Sequence, residues 1–466
     1  MRTTELRARF AATLSELYGA EVPLYRTLVE VSQEVNDRAL RREGSAAERL
    51  GSIDRVTAER HGAIRVGNPE EMAQVARVFA ALGMHPCGFY DLRDAQPLPI
   101  PVVSTAFRPL DLDELAANPF RVFTSMLVPE DRRFFDADLE RRLKTFLERR
   151  RLFPPELLDL ADRAAADGQL PAVDADAFLR LAAGSFALSS EPVDRAWYDE
   201  LERVSGVAAD IGGVTTTHIN HLTPRVLDID DLYASMQARG VAMIDEIQGP
   251  PRWEGPDLLL RQTSFRALAE PRVFREPDGT LAEGTLRVRF GEVEARGIAP
   301  TRAGRSLVDR LAEETDVRLR EGAGRTRQEV AAALWRESVP AHEDDLRRQG
   351  LAHFTYAADA GPGPIDDAGR DALRSGRLEE LVAAGLLRPE PIVYEDFLPR
   401  SAAGIFASNL SGTGRADADE GGAPRDLGWM SDVIGWEVHE PDDVYLREGQ
   451  ASLDRAAEAL GVRIRP

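Results

Sequence analysis

The sequence predicts an α+β protein: two βαβββ modules that form a shared metal-binding sheet, with extensive helical additions. Two observations carry that expectation. Segments opening at His61 and His221 repeat one layout, a short β-prone run, a capped helix and further β-prone runs. Around and between them lie charged stretches whose apolar residues recur at helical spacing. At 466 residues the chain is also too long for one unit of ordinary size, as two modules with additions require.

Residues 1–50 are expected to be helical, because Leu6, Phe10, Leu14 and Tyr18 recur at spacing four with charges between them. The first module spans 51–128. His61-Gly-Ala-Ile-Arg-Val is its opening β-prone run, and Asn68-Pro-Glu-Glu supplies an N-cap, a proline at the first helical position and acids in the first turn. Met72, Val75, Ala76 and Phe79 make the apolar stripe and Gly83 the stop. Cys87 to Leu92 and Val102 to Phe107 are further β-prone runs. Residues 129–210 are expected to be a helical insertion with Leu139, Leu143 and Phe146 on a buried stripe.

The second module, 211–300, repeats the plan. His221 opens it, Asp228 caps the helix, Ile229, Leu232, Tyr233 and Met236 form the stripe, and Gly240 ends it. Ala242–Ile247, Leu258–Phe265 and Thr285–Phe290 are its β-prone runs. In both modules the histidine sits seven residues before the helix cap. The remainder, 301–466, is expected to be helical and irregular, with Gly412 to Pro424 as a mobile loop.

Composition narrows the function classes. Hydrophobic content of 43% and charged content of 29% are those of a globular protein. A net charge of −21, from 58 Lys+Arg against 79 Asp+Glu, argues against nucleic acid or an anionic membrane as partner. The N-terminus lacks the apolar core of a secretory signal and no run of 18 apolar residues occurs, so the expected location is cytoplasmic. The single cysteine, Cys87, excludes an intramolecular disulfide and any multi-thiolate metal site, and is expected to be a small core residue. No Gly-Lys-Thr phosphate loop and no Gly-x-Ser-x-Gly elbow is present.

A chain without thiolates can still bind a redox metal with two histidines and one carboxylate, leaving open positions for chemistry. Seven histidines are available. His342 is expected to be exposed and His85 to lie in a turn, while His353 and His439 sit beside apolar positions. His218 and His221 are three apart, so on one regular strand they face opposite ways and do not share a metal. His221 occupies the position equivalent to His61, so the two would converge if the modules pair about a pseudo-twofold axis. The carboxylate should come from Phe290-Gly-Glu-Val-Glu-Ala-Arg-Gly297, where Glu292 and Glu294 share one face; either reaches, and Glu294 is favoured. A lone His or Glu near a strand is more often structural than ligating, so spacing alone leaves the metal site open. Arg65 follows His61 by four, on the same face, with its Cα about 13 Å away. That span suits a ligand chelated at one end and carrying a carboxylate at the other; a surface ion pair is the commoner use of such an arginine.

Several blocks together resemble the 2-oxoadipate dioxygenase/decarboxylase (hydroxyglutarate synthase) family, a divergent branch of the vicinal oxygen chelate superfamily. They are Glu59-Arg-His-Gly-Ala-Ile-Arg-Val-Gly67, Ser104-Thr-Ala-Phe-Arg-Pro109, Asn118-Pro-Phe-Arg-Val-Phe-Thr-Ser125, His218-Ile-Asn-His-Leu-Thr-Pro-Arg225, Leu260-Arg-Gln-Thr-Ser-Phe265, Arg289-Phe-Gly-Glu-Val-Glu-Ala-Arg-Gly297 and Tyr394-Glu-Asp-Phe-Leu-Pro-Arg-Ser-Ala-Ala-Gly-Ile-Phe406. The resemblance runs from about Leu17 to Phe406. It implies an Fe(II) enzyme that converts 2-oxoadipate and O2 to 2-hydroxyglutarate and CO2 in lysine breakdown. It puts the metal ligands on His61, His221 and Glu294, and the substrate contacts on Arg65, on His61 and between Pro399 and Ser401. Arg400 stands where the family pattern has a small apolar residue, a change that is harmless if the main chain makes the contact and bears on substrate choice if the side chain does. His218, Asn220 and Glu292 are the groups expected to orient the imidazoles. The alternatives are a Zn2+ or Ni2+ isomerase or lyase of the glyoxalase type, and a metabolite-binding protein without catalysis.

Overall fold

The computed structural model describes residues 1–95, 98–322, 324–359, 365–398 and 424–465. Arg400 and nearly all of the expected mobile loop, Gly412 to Pro424, lie outside the described residues.

Helices α1 (Thr3–Glu21) and α2 (Leu24–Glu43) form as the spacing predicts, with Leu6, Phe10, Leu14 and Tyr18 all buried. The Tyr18 hydroxyl donates to the carbonyls of Phe290 (2.7 Å) and Asn220 (3.1 Å), tying α1 to the residues that flank two site segments. After α3 (Ile53–Ala58) comes the first module: β1 (Arg60–Val66), α4 (Pro69–Ala80), β2 (His85–Asp91), β3 (Val102–Arg108), α5 (Leu112–Ala117) and β4 (Arg121–Leu127). The Asn68 side chain accepts from the Glu71 amide and Pro69 opens α4, so the cap lies where the sequence placed it. His85 starts β2 rather than lying in a turn, and Cys87 is a buried core residue.

A helical stretch follows: α6 (Ala137–Arg149), α7 (Pro155–Asp167), α8 (Ala172–Ser185), the short β5 (Val193–Asp194), α9 (Arg195–Val204) and α10 (Gly206–Gly212). On α6 the buried stripe is Leu139, Leu143 and Leu147, with Phe146 at its margin, because i, i+4, i+8 tracks the buried line of this helix.

The second module is β6 (His221–Pro224), α11 (Ile229–Ala238), β7 (Leu260–Phe265), the hairpin β8 (Glu270–Arg275) and β9 (Leu281–Leu286), and β10 (Gly291–Arg296). Strand β6 pairs antiparallel with β1 and completes a five-stranded sheet of order β2-β3-β4-β1-β6, in which β1 and β4 run parallel. Parallel bridging of Arg225 with Glu294 sets β10 beside the end of β6, β10 pairs with β7, and antiparallel bridges join Met243 to Phe265 and Gln248 to Gln262. That is the order of the first module. One expectation fails here: Thr285–Phe290 is not a strand of the module. Its first two residues end β9, and β8 and β9 leave the module to form a separate sheet with β5. The cause is Asp278-Gly279, where Gly279 at φ 85° and Asp278 accepting from the Thr280 amide turn the chain back.

The chain divides into two compact units. The first comprises Met1–Gln248, Arg261–Ala295 and Asp396–His439 and holds every site residue discussed below. The second comprises Gly249–Leu260, Arg296–Glu395 and Glu440–Pro466. The 301–466 stretch contains α12 (Arg302–Glu321), α13 (Arg327–Ser338), α14 (Glu343–Arg348), α15 (Asp367–Ser375), α16 (Leu378–Ala383), α17 (Leu427–Ile434) and α18 (Pro441–Leu460). It also contains an antiparallel pair of strands, β11 (Phe354–Ala358) and β12 (Leu387–Pro391).

Candidate metal centre

Strand β1 alternates two kinds of side chain. Ile64 and Val66 face the apolar core together with Val122, Met126 and Leu222 of the neighbouring strands. The opposite face carries His61, Ala63 and Arg65. Its directly paired neighbours on β4 are Arg121, Phe123 and Ser125, and on β6 they are Thr223 and His221. Both faces are covered, so this polar set is buried.

From β10, Glu292 and Glu294 point to the same place while Val293 turns into the core. Gly291 sets their approach: a Cβ there would stand 1.8 Å from the Phe265 ring, so only glycine lets β10 begin against it. The His61 imidazole lies between the two carboxylates. Its Nε2 is 2.9 Å from Glu292 Oε1, and its Nδ1 is 3.1 Å from Glu294 Oε2. His221 meets His61 edge to face, with ring centroids 5.5 Å apart, and stacks on Phe290 at 5.1 Å. The His221 Nδ1 is 3.0 Å from Thr223 Oγ1, and Glu292 Oε2 is 4.0 Å from that nitrogen. Thr223 engages the His221 Nδ1 and leaves its Nε2 for a ligand, whereas both ring nitrogens of His61 face carboxylates.

Among the described residues one group of histidines and carboxylates could hold a metal ion: His61, His221 and Glu292, whose ligand atoms all lie within 4.8 Å of one another. Ligands about 2.2 Å from one ion and at right angles to each other lie about 3.1 Å apart, so the three side chains must draw together to seat it. The electrostatics fit as well. Glu292 is buried, and among the described residues its close partners are His61, His221 and Thr223, with no Arg or Lys. A buried carboxylate so placed calls for a cation. Glu294 differs, since its Oε1 lies 3.4 Å from Arg121 Nη1. Arg121 donates to Glu59 Oε1 (2.8 Å), and Arg225 donates to Glu59 Oε2 (3.0 Å) and to the Leu50 carbonyl (2.8 Å). The carboxylate favoured from the sequence, Glu294, thus stands behind His61 in a buried relay of charges, and Glu292 stands with the imidazoles.

Burial lowers the His221 pKa to about 4, with Glu292 opposing and His61 and Arg65 adding to the drop. This imidazole is neutral at pH 7, as a ligand must be. Burial also works against charge on His61, but Glu294 and Glu292 outweigh it and its pKa is raised.

The other expected residues gather around Asp210 on α10. Arg65 Nη1 donates to Asp210 Oδ2, Asn220 Nδ2 donates to the same oxygen at 2.9 Å, and His218 Nε2 lies 3.1 Å from Asp210 Oδ1. His218 and Asn220, expected beside the imidazoles, thus meet Asp210 together with Arg65. An aromatic wall closes one side: Phe397 meets His61 edge-on at 5.0 Å and packs on Phe123, which packs on Tyr90. The buried Arg108–Asp396 pair, at 2.8 and 3.2 Å, fixes the residue before Phe397. Reasoning from sequence missed Glu59, Arg121, Asp210, Thr223 and Phe397. A signal existed for four of them: Glu59 and Thr223 each lie two residues from a site histidine, Arg121 stands in the Asn118-Pro-Phe-Arg block, and Phe397 stands in the Tyr394-Glu-Asp-Phe block. Asp210 had none.

The comparisons with known proteins agree with one another. The family described as 2-oxoadipate dioxygenase/decarboxylase matches residues 10–409. A 2-oxoadipate dioxygenase/decarboxylase of Mycobacterium tuberculosis is 55% identical over 449 residues, 96% of each chain. That of Pseudomonas putida is 39% identical over 465 residues, 98% of this chain and 97% of its own. The crystal structure of the hydroxyglutarate synthase from Pseudomonas putida in complex with 2-oxoadipate superposes with a TM-score of 0.82 at 36% identity, covering 99% of both chains. With the match spanning most of its length and relatives this similar end to end, the chain belongs to the 2-oxoadipate dioxygenase/decarboxylase family.

Proposed function

We propose that this chain is an Fe(II) dioxygenase that converts 2-oxoadipate and O2 to 2-hydroxyglutarate and CO2. The observation that carries the metal assignment is the convergence of His61, His221 and Glu292, two imidazoles and one carboxylate. The substrate follows from the family and from Arg65, buried on the face that carries His61. The reaction balances: six carbons, eight hydrogens and seven oxygens stand on each side when both acids are counted neutral.

His61, His221 and Glu292 would hold the iron, and Glu294 would fix the His61 ring from behind. Iron held by these three side chains would supply the redox chemistry. The protein's share is placement. Arg65 grips the distal carboxylate in a fixed fork. That carboxylate survives loss of CO2 from the other end, so the shortened acid stays held while it is hydroxylated. Phe397, Phe123 and Tyr90 form the apolar side that excludes water. In this reading 51–128 and 211–300 are the working modules and the 129–210 insertion contributes Asp210. A role in lysine breakdown and a cytoplasmic setting belong to the same proposal.

The test is anaerobic loading with Fe(II) and 2-oxoadipate, then O2. Equimolar O2 uptake, CO2 and 2-hydroxyglutarate are expected, with iron binding and turnover both lost in Glu292→Ala. Iron retained by Glu292→Ala and lost by Glu294→Ala would exchange the two roles. Iron uptake with rearrangement of an oxo acid and no O2 consumption would make it an isomerase instead.

A further inference from the structure

We propose that Asp210 is the positioning residue of the substrate clamp: its carboxylate fixes the Arg65 guanidinium and, through the segment before His221, sets the clamp against the metal centre. The inference rests on the function proposed above and adds to it what holds the distal carboxylate's partner in place.

Asp210 is buried, on a helix of which every residue is buried. Its Oδ2 receives Arg65 Nη1 from β1 and Asn220 Nδ2 from the residue next to His221, and its Oδ1 faces His218 Nε2 at 3.1 Å. One carboxylate thus touches both segments that carry a site histidine. Backbone contacts reinforce the brace, since Thr217 Oγ1 donates to the Arg65 carbonyl (2.6 Å) and the Asn220 amide to the Ala63 carbonyl (2.9 Å). The neighbouring charges win over burial and hold the Asp210 pKa well below the usual carboxylate range, so it stays ionised at any working pH.

A guanidinium is planar, and a carboxylate on one Nη orients the whole fork. If Asp210 were there only for folding, apolar residues of similar volume would serve as well or better, because a buried ion pair recovers little net stability. Its other possible effect is opposite in sign. A negative charge beside Arg65 weakens the pull on a substrate carboxylate, so an Asp210 that acted only as a counter-charge would compete with the substrate. Removing it would then tighten binding.

The experiment compares 2-oxoadipate with 2-oxohexanoate, which has the same chain length and no distal carboxylate. Binding to the iron-loaded protein is measured anaerobically by calorimetry, for wild type, Asp210→Ala and Asp210→Asn, with KM and kcat for 2-oxoadipate alongside. We expect Asp210→Ala to raise Kd and KM for 2-oxoadipate roughly tenfold to a hundredfold, the range for one hydrogen bond to a charged group. We expect kcat to change less, iron content and 2-oxohexanoate binding to hold, and Asp210→Asn to fall between. Equal loss for both acids, loss of iron in both variants, or tighter 2-oxoadipate binding would overturn the proposal. A wild type that does not prefer 2-oxoadipate over 2-oxohexanoate would defeat the clamp itself, and with it the assignment of Asp210.

Discussion

Two arginines each stand four residues after a site histidine, Arg65 after His61 and Arg225 after His221, and the structure uses them differently. Arg65 meets Asp210, a carboxylate shared with Asn220. Arg225 meets Glu59, a carboxylate shared with Arg121, and its second contact is the Leu50 carbonyl. The first module therefore turns its arginine onto Asp210, while the second turns the equivalent arginine into the end of a relay that runs through Glu59 and Arg121 to Glu294 and His61. A repeated sequence position settles where a side chain starts. The carboxylate waiting for it settles what it does.

Breaking the relay should have the largest effect. Glu59→Gln leaves Arg121 and Arg225, both fully buried, without their shared anion. Loss of one member of a buried charge network costs about 3–5 kcal/mol, so a marked fall in melting temperature is expected. If the relay is separate from the clamp, KM for 2-oxoadipate should hold in whatever fraction remains folded. A selective rise in KM would merge the two systems.

Exchanging the arginines sharpens the contrast. Arg65→Leu and Arg225→Leu each strip a buried carboxylate of a partner and both should lower the melting temperature. Only Arg65→Leu should weaken 2-oxoadipate, with kcat/KM falling on the order of a hundredfold or more, as for other truncated buried charge pairs. Comparable losses of substrate affinity in the two variants would erase the distinction.

Much of this was legible in the sequence. The caps at Asn68 and Asp228, the apolar stripes and the strict two-residue alternation of β1 are local features, and local features are written locally. So the two-module α+β plan and the matched pair His61 and His221 could be read directly. The choice between Glu292 and Glu294 could not, because both lie on one face of β10 and the difference is which long-range partner each meets: Arg121 lies 173 residues from Glu294. Asp210 was hidden for the same reason, on a short helix 145 residues from Arg65. The β8–β9 hairpin does carry a local mark, Pro277-Asp-Gly279, whose glycine takes φ 85°.

Smaller effects separate the two sides of the metal centre. Glu294→Gln keeps the shape behind His61 and removes the charge, so the His61 Nδ1 loses the carboxylate that stands 3.1 Å away. Removing such a partner behind a ligating histidine lowers metal affinity by about 10–100-fold, which competition with a chelator would measure. The expectation is weakened but detectable iron binding, in contrast to Glu292→Ala. Complete loss in both would mean that both carboxylates bind the ion.

Thr223→Val is the finest of these tests. The His221 Nδ1 has a neutral hydroxyl at 3.0 Å where His61 has a carboxylate, and valine fills the same volume without it. A neutral hydrogen bond is about half as strong as a charge-assisted one, so the loss of iron affinity should sit near the low end of that range, about tenfold. The ring itself should stay put, because Phe290 stacks against it at 5.1 Å and His61 closes its edge. An effect as large as that of Glu294→Gln would therefore locate the importance of Thr223 elsewhere, in its 3.4 Å contact with Glu292 Oε1, and would make one hydroxyl the support for two metal ligands.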